Sequence, residues 1–199
     1  MTEKEKMLAG LLYNPTDPEL SALHYQALLL ADEYNKTTIA EMEKREEILR
    51  RLFPQAGKGL AIMPDIRCDY GIFTKMGENC FFNFNCVILD CCPVTIGDRL
   101  MAGPGVMIVT PVHPLVAEER RIQPHEDGVY DLEYAKPIEI GDDVWLSSGV
   151  IVCGGSKIGD GAVIGAGSVV MGEIPPNVFA AGTPAKVIRP ITDKDRLMK

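Results

Sequence analysis

The chain has 199 residues, 46% of them apolar and 24% charged, close to the globular average, which excludes bulk disorder. Its 20 Lys and Arg against 28 Asp and Glu leave a net charge of −8, which argues against nucleic acid as a partner, since such binders usually carry a basic face. The longest apolar runs, such as Ala27–Ala31 and Val87–Leu89, fall far below the roughly 18 residues of a membrane span. Met1 to Lys6 contain no apolar signal-peptide core, so a cytoplasmic protein is expected. The 6 cysteines include no C-x-x-C pair and read as reduced core residues rather than disulfides or a zinc site. With only His24, His113 and His125 available, a site of several imidazoles is hard to assemble, and no metal is expected.

Residues 1–53 read as a helical segment. Thr2 and Glu5 form a capping box ahead of Met7, Leu8, Leu11 and Leu12. Asp17 followed by Pro18 marks an N-cap with proline at the first helical position, and Leu20, Leu23, Ala27, Leu28, Ala31 and Tyr34 follow at helical spacing. Thr38 and Glu41 look like a second capping box, with Met42, Arg45, Leu49 and Leu52 behind it. Glu41–Arg45, Glu46–Arg50 and Glu47–Arg51 are i,i+4 pairs expected on a solvated helix face.

From residue 54 to 190 the pattern changes. Ile140, Leu146, Val152, Ile158, Ile164 and Val170 recur in steps of six, and the residue two places before each is small or apolar. Neither a helix nor a flat strand repeats every six residues. The period belongs to a parallel β-helix in which each hexapeptide supplies one side of a triangular coil and its aliphatic residue points inward. Gly141, Gly159 and Gly165 follow these residues and are expected to let the chain turn. Upstream, Met76, Phe82 and Ile88 keep the beat, which slips and resumes at Ile96, Ala102 and Ile108. Residues 109–137 carry no hexad and read as a loop extruded from the coil. Residues 191–199 read as a frayed tail.

The stretches Arg67–Gly71, Asn83–Asp90, His113-Pro114, Leu132–Pro137, Ile140–Trp145 and Ala181–Lys186 occur in an order and spacing that resembles the hexapeptide-repeat acetyltransferases. Within them the match is to the maltose and galactoside sugar O-acetyltransferases, with Lys4–Gly10 and Tyr34-Asn35 extending it toward the N-terminus. The resemblance implies an all-β solenoid, a left-handed parallel β-helix, assembled as a homotrimer with active sites between subunits. It also implies transfer of an acetyl group from acetyl-CoA to a sugar hydroxyl, the 6-hydroxyl of a maltose- or glucose-type acceptor.

The same resemblance assigns roles residue by residue. His113 matches the catalytic histidine, and an imidazole titrating near neutrality suits a base for a poorly nucleophilic hydroxyl. Asn83 matches the amide that hydrogen-bonds the acceptor hydroxyl, and Asp69, Asp90 and Glu133 match the acceptor pocket. Trp145, Ser148, Ala166, Lys186 and Arg189 match cofactor contacts, with the Ser148 N–H facing the thioester oxygen. Met171-Gly172 stands where many relatives have Thr-Lys, removing one basic contact. His24 and His125 match no motif and are taken as helix or surface residues. Alternatives are a xenobiotic acetyltransferase on the same coil, a zinc hydrase short of histidines, and a non-catalytic trimeric scaffold.

Overall fold

The computed structural model describes residues 1–126 and 128–198. Three helices come first: α1 (Glu3–Leu8), α2 (Pro18–Asn35) and α3 (Met42–Leu52). The Thr2–Glu5 capping box forms, and the Asp17 carboxylate accepts the N–H groups of Glu19 and Leu20. The second capping box does not form. Glu41, not Thr38, is the N-cap of α3, and its carboxylate instead accepts the Thr38 N–H and hydroxyl, closing a turn ahead of the helix.

The remainder is a parallel β-helix of three faces. The first face stacks Gln55–Ala56, Thr74–Met76, Val94–Ile96, Ile138–Ile140, Lys157–Ile158 and Glu173–Ile174. The second stacks Ala61–Ile62, Phe81–Phe82, Met101–Ala102, Trp145–Leu146, Val163–Ile164 and Val178–Gly182. The third stacks Ile66–Cys68, Cys86–Leu89, Met107–Val109, Ile151–Cys153 and Val169–Val170. The hexad residues pair in register, Ile140 on Ile158, Leu146 on Ile164 and Val152 on Val170, and all six are buried. The residues two places before them are buried too, so each side of the coil turns two side chains inward.

The corners refine the expected role of glycine. Positive φ falls two residues after Gly141, Gly159 and Gly165, at Asp143, Gly161 and Gly167. One corner column holds Asn79, Arg99, Asp143, Gly161 and Asn177, and the next holds Asn85, Gly105, Gly149 and Gly167, mostly residue types that tolerate the left-handed region. Gly141 is needed for close approach instead: a Cβ there would sit 2.1 Å from Asp160 Oδ1 and 2.8 Å from its N. The Ile-Gly-Asp pattern thus builds a ladder in which Asp98 Oδ1 accepts the Glu78 N–H, Asp142 Oδ1 the Asp98 N–H, and Asp160 Oδ1 the Asp142 N–H.

Neighbouring coils exchange main-chain bonds in both directions: Ala61 N–H donates forward to Cys80 and Met63 to Phe82, while Asn79 N–H donates back to Lys58. The outer edge of the first coil has no coil to pair with, so its main-chain groups have to be covered. The end of α2 covers it: the Tyr34 hydroxyl donates to the Ile62 carbonyl and the Asn35 amide to that of Ile66. Arg45 joins them. Rather than pairing with Glu41 in solvent, its guanidinium is buried, 4.4 Å over the Tyr34 ring, and donates to Thr37 Oγ1, Tyr34 Oη and the Ile62 carbonyl. The Glu46–Arg50 pair does form on the exposed side. At the far end, Ala185–Pro190 closes the second face antiparallel to Val178–Gly182. The tail is ordered into a short 3₁₀ turn, Asp193–Asp195.

The insertion leaves the third face after Val109 and rejoins the first at Ile138. It carries its own pairing, Pro111–Val112 with Tyr134–Ala135 and a hairpin of Gln123–His125 with Gly128–Tyr130. Its stem crosses Gly154, where a Cβ would meet the Thr110 carbonyl oxygen at 2.6 Å and that of Lys136 at 3.3 Å. All six cysteines are free, five of them buried and one half-buried.

Leu146→Ala removes a fully buried hexad side chain between two coils and is expected to cost about 2–5 kcal/mol, whereas Lys157→Ala on the outer surface should stay within about 0.5 kcal/mol. Urea unfolding of both variants checks this; equal losses would mean that the inward column does not carry the stability.

Candidate active site

The candidate residues divide between two corners of the coil. The first group lies where the third face turns into the first. Asp69 follows strand Ile66–Cys68, Asp90 and Cys91 follow Cys86–Leu89, and the insertion bearing His113 follows Met107–Val109. Here the structure brings His113, Asp131 and Glu133 together. The His113 ring is half exposed, its Nδ1 lies 3.9 Å from Asp131 Oδ2, and its Nε2 lies 3.7 Å from Glu133 Oε1. Ligand atoms of the three lie within 4.8 Å of one another, a spacing that a cation could bridge and that equally suits an imidazole holding a proton.

Asp69 lies in the same neighbourhood. Its Oδ2 accepts from Cys91 Sγ at 3.2 Å. Burial pushes its carboxyl above the usual range, against the opposing effects of the Cys91 hydrogen bond and His24. His24, expected to be a plain helix residue, docks on it: Nδ1 is 2.9 Å from the Asp69 carbonyl oxygen and 3.7 Å from Oδ1. Burial beside Asp69 also pushes the Cys91 thiol well above its ordinary value.

Asp90 does not fit the acceptor contact expected of it. It is 0% exposed. Oδ1 accepts the N–H groups of Tyr70 and Gly71 at 2.8 and 3.0 Å, and Oδ2 accepts the Phe73 N–H at 3.1 Å and the Thr74 hydroxyl at 3.0 Å. Burial still holds its carboxyl above the ordinary range in spite of these donors. The residue shapes the 70–74 turn that follows Asp69, and its oxygens are already engaged there.

The second group lies where the second face turns into the third. Asn83, Gly103, Ser147 and Gly165 form one column there, linked by Asn83 N–H to Ala102 O, Gly103 N–H to Leu146 O and Ser147 N–H to Ile164 O. The next column holds Phe84, Pro104, Ser148 and Ala166. Asn83 Oδ1 accepts the Phe84 N–H at 2.8 Å, which leaves its amide nitrogen to donate outward. Trp145 points outward and is 48% exposed, one strand residue from the corner. Ser148 and Ala166 are exposed turn residues. Lys186 and Arg189 stand on the closing strand, paired with Ala181 and Phe179, so the track continues to the end of the coil. From Asn83 to Ala166 it spans three coil steps, roughly 14 Å at a spacing of about 4.8 Å per strand. Arg189 already has a carboxylate partner, with Nη1 and Nη2 on Asp195 at 2.9 and 2.8 Å.

Known proteins supply the remaining observation. The signature described as "Maltose acetyltransferase hexapeptide capping motif" matches residues 6–57, and "Bacterial transferase hexapeptide (six repeats)" matches residues 137–172. The galactoside O-acetyltransferase of Escherichia coli is 37% identical over 98% of this chain and 93% of its own length. A maltose O-acetyltransferase from Clostridium difficile 630 superposes with a TM-score of 0.90 at 46% identity, covering 97% of this chain and 99% of that one. The chain belongs to the galactoside and maltose O-acetyltransferase family. A solved galactoside acetyltransferase in complex with coenzyme A also matches, with a TM-score of 0.90 at 37% identity over 100% of this chain and 96% of that one. The family's N-terminal signature spans the end of α1, all of α2 and α3, and the first strand of the coil, and so contains Tyr34, Asn35 and Arg45, which cover the coil's outer edge.

Removing the Asp90 carboxylate strands four buried or half-buried donors. Asp90→Ala should therefore destabilise this acetyltransferase by on the order of 3 kcal/mol, read as a lowered urea midpoint. A midpoint unchanged within error would return Asp90 to the list of free acceptor contacts.

Proposed function

We propose that the protein transfers an acetyl group from acetyl-CoA to a sugar hydroxyl, the 6-hydroxyl of a maltose- or glucose-type acceptor, with His113 as general base. The observation that carries this reading is the His113 imidazole, half exposed on the insertion with Glu133 Oε1 3.7 Å from Nε2 and Asp131 Oδ2 3.9 Å from Nδ1. A rim of Glu133, Asp131 and Asp69 offers carboxylate acceptors to the vicinal hydroxyls of a polyol. The galactoside and maltose acetyltransferases matched above act on sugars by name, and one of them is held in complex with coenzyme A.

The neutral imidazole takes the proton of the attacking hydroxyl as its oxygen adds to the thioester carbonyl. The tetrahedral oxyanion is met by the Ser148 N–H, with the Asn83 amide nitrogen orienting the acceptor hydroxyl. Collapse breaks the carbon–sulfur bond, and the departing thiolate receives the proton from the imidazolium. No group on the chain is acetylated along this route. The donor is read as lying along the track Trp145, Ser148, Ala166, with Lys186 and Arg189 toward its phosphates.

Within one chain the His113 corner and the Asn83–Ser148 corner are separated by the width of the third face, about four residues or ~13 Å. A neighbouring copy could supply the opposite corner, which supports a homotrimer with sites between subunits. Outward side chains support it as well. Phe81, Met101, Trp145, Val163 and Phe179 stand in register on the second face, and Val87, Met107, Ile151 and Val169 on the third. Met101 is 58% exposed in the isolated chain, and a continuous apolar ladder of this kind usually marks an interface.

His113→Ala should lower kcat by roughly 10²–10⁴, the usual worth of a positioned base, with acetyl-CoA binding little changed. Thiol release from acetyl-CoA across a panel of maltose, glucose, galactosides, amino sugars and chloramphenicol measures the rate and identifies the acceptor. Dialysis against EDTA should leave the wild-type rate unaltered. An active His113→Ala, or radiolabel retained stoichiometrically on denatured enzyme, would sink the direct-attack mechanism. Lys186→Glu should raise the acetyl-CoA KM, and by less at high salt, because exposed charges are screened. Light scattering should give a mass near three times 21.8 kDa, and a monomer at micromolar concentration would remove the shared site.

A further inference from the structure

The route above leaves Tyr13 without a part, although it lies under the site. It is 1% exposed, on the stretch between α1 and α2, and packs with Met7, Leu20, Tyr70, Cys91, Cys92 and Ala135 in an apolar cluster separate from the coil interior. Its main chain pairs with Glu133 as an antiparallel bridge: the Tyr13 N–H donates to the Glu133 carbonyl at 2.9 Å, and the Glu133 N–H to the Tyr13 carbonyl at 3.2 Å. Its hydroxyl donates to Glu133 Oε2 at 2.9 Å. The other carboxylate oxygen, Oε1, is the one facing His113 Nε2. Cys91, in the same cluster, donates its thiol to Asp69 Oδ2 at 3.2 Å.

We infer that Tyr13 is a positioning residue for acceptor recognition: by holding Oε2 of Glu133 it directs Oε1 toward His113 and the acceptor. Glutamate is among the side chains with most rotamer freedom to lose, so a carboxylate at the edge of a half-exposed pocket needs a fixed partner to present one oxygen in one direction. A tyrosine hydroxyl suits the task because its ring is locked in the apolar cluster and its O–H, once buried, must find an acceptor. The two main-chain bonds place the Glu133 backbone, and the hydroxyl sets its end. This inference rests on the reading of Glu133 as an acceptor-side group.

Tyr13→Phe keeps the ring, the cluster and both main-chain bonds while deleting the hydroxyl. It should raise the acceptor KM about 5- to 20-fold, leave the acetyl-CoA KM within twofold, and leave the melting temperature within a few degrees. In a Glu133→Gln background the same change should add less than twofold, since its effect passes through the carboxylate. An unaltered acceptor KM, or an equal penalty in both backgrounds, overturns the inference. A crystal structure of Tyr13→Phe supplies an arm independent of acceptor identity: the Glu133 carboxylate should lose its single orientation while the main chain at 13 and 133 stays in place. A carboxylate held as before overturns the inference even if the wild type accepts no sugar on the panel. That last result by itself would count only against the sugar-transfer reading.

Discussion

Each coil exchanges main-chain hydrogen bonds in both directions with the coil that follows, so one register propagates from residue 55 to residue 182 and decides where each side chain can go. Once that register is set, a side chain's place in the six-residue count specifies its face and whether it points in or out. The inward column fills the prism with Ile, Leu and Val, and the corners demand residues that accept positive φ. The Gly-Asp pairs follow from the same constraint. Coils about 4.8 Å apart leave no room for a Cβ at Gly141, and the freed space lets an aspartate oxygen of the next coil reach a main-chain donor.

A coil of this kind has two weaknesses, its ends and any place where the count is broken. The outer edge of the first coil is met by Tyr34, Asn35 and Arg45, and that of the last is covered by an antiparallel strand. The count is broken between Cys68 and Met76, Ile88 and Ile96, Ile108 and Ile140, and Val170 and Ile174, each time at the corner where the third face meets the first. The His113 group sits on these breaks. Residues released from the six-fold count can carry chemistry there, while the unbroken corner opposite presents a straight track of small turns along which a long ligand can lie.

The N-terminal segment closes this corner as well as the end of the coil. Its second apolar cluster joins α1, the stretch before α2, the 70–73 turn and the stem of the insertion. Asp90 and Tyr13 serve this corner from below in different ways. Asp90 uses both oxygens to form the turn beyond Asp69, and Tyr13 ties its hydroxyl to Glu133.

Periodicity and local capping were legible from the residues alone. The hexads gave the coil, its inward columns and the insertion, and Thr2, Glu5 and Asp17 marked helix starts, because each of these signals lies within a few residues of chain. The resemblance added His113, Asn83 and the track from Trp145 to Arg189. Tertiary structure decided what depends on distant partners. Asp90 proved to be a buried anchor because donors 16–20 residues away converge on it. Arg45 turned inward because the first coil's edge needed donors, a demand invisible in its own helix. His24 and Cys91 entered the site through Asp69, and Tyr13 through Glu133, 120 residues away. No pattern in the chain marks such pairs, since only folding brings their atoms within hydrogen-bond reach.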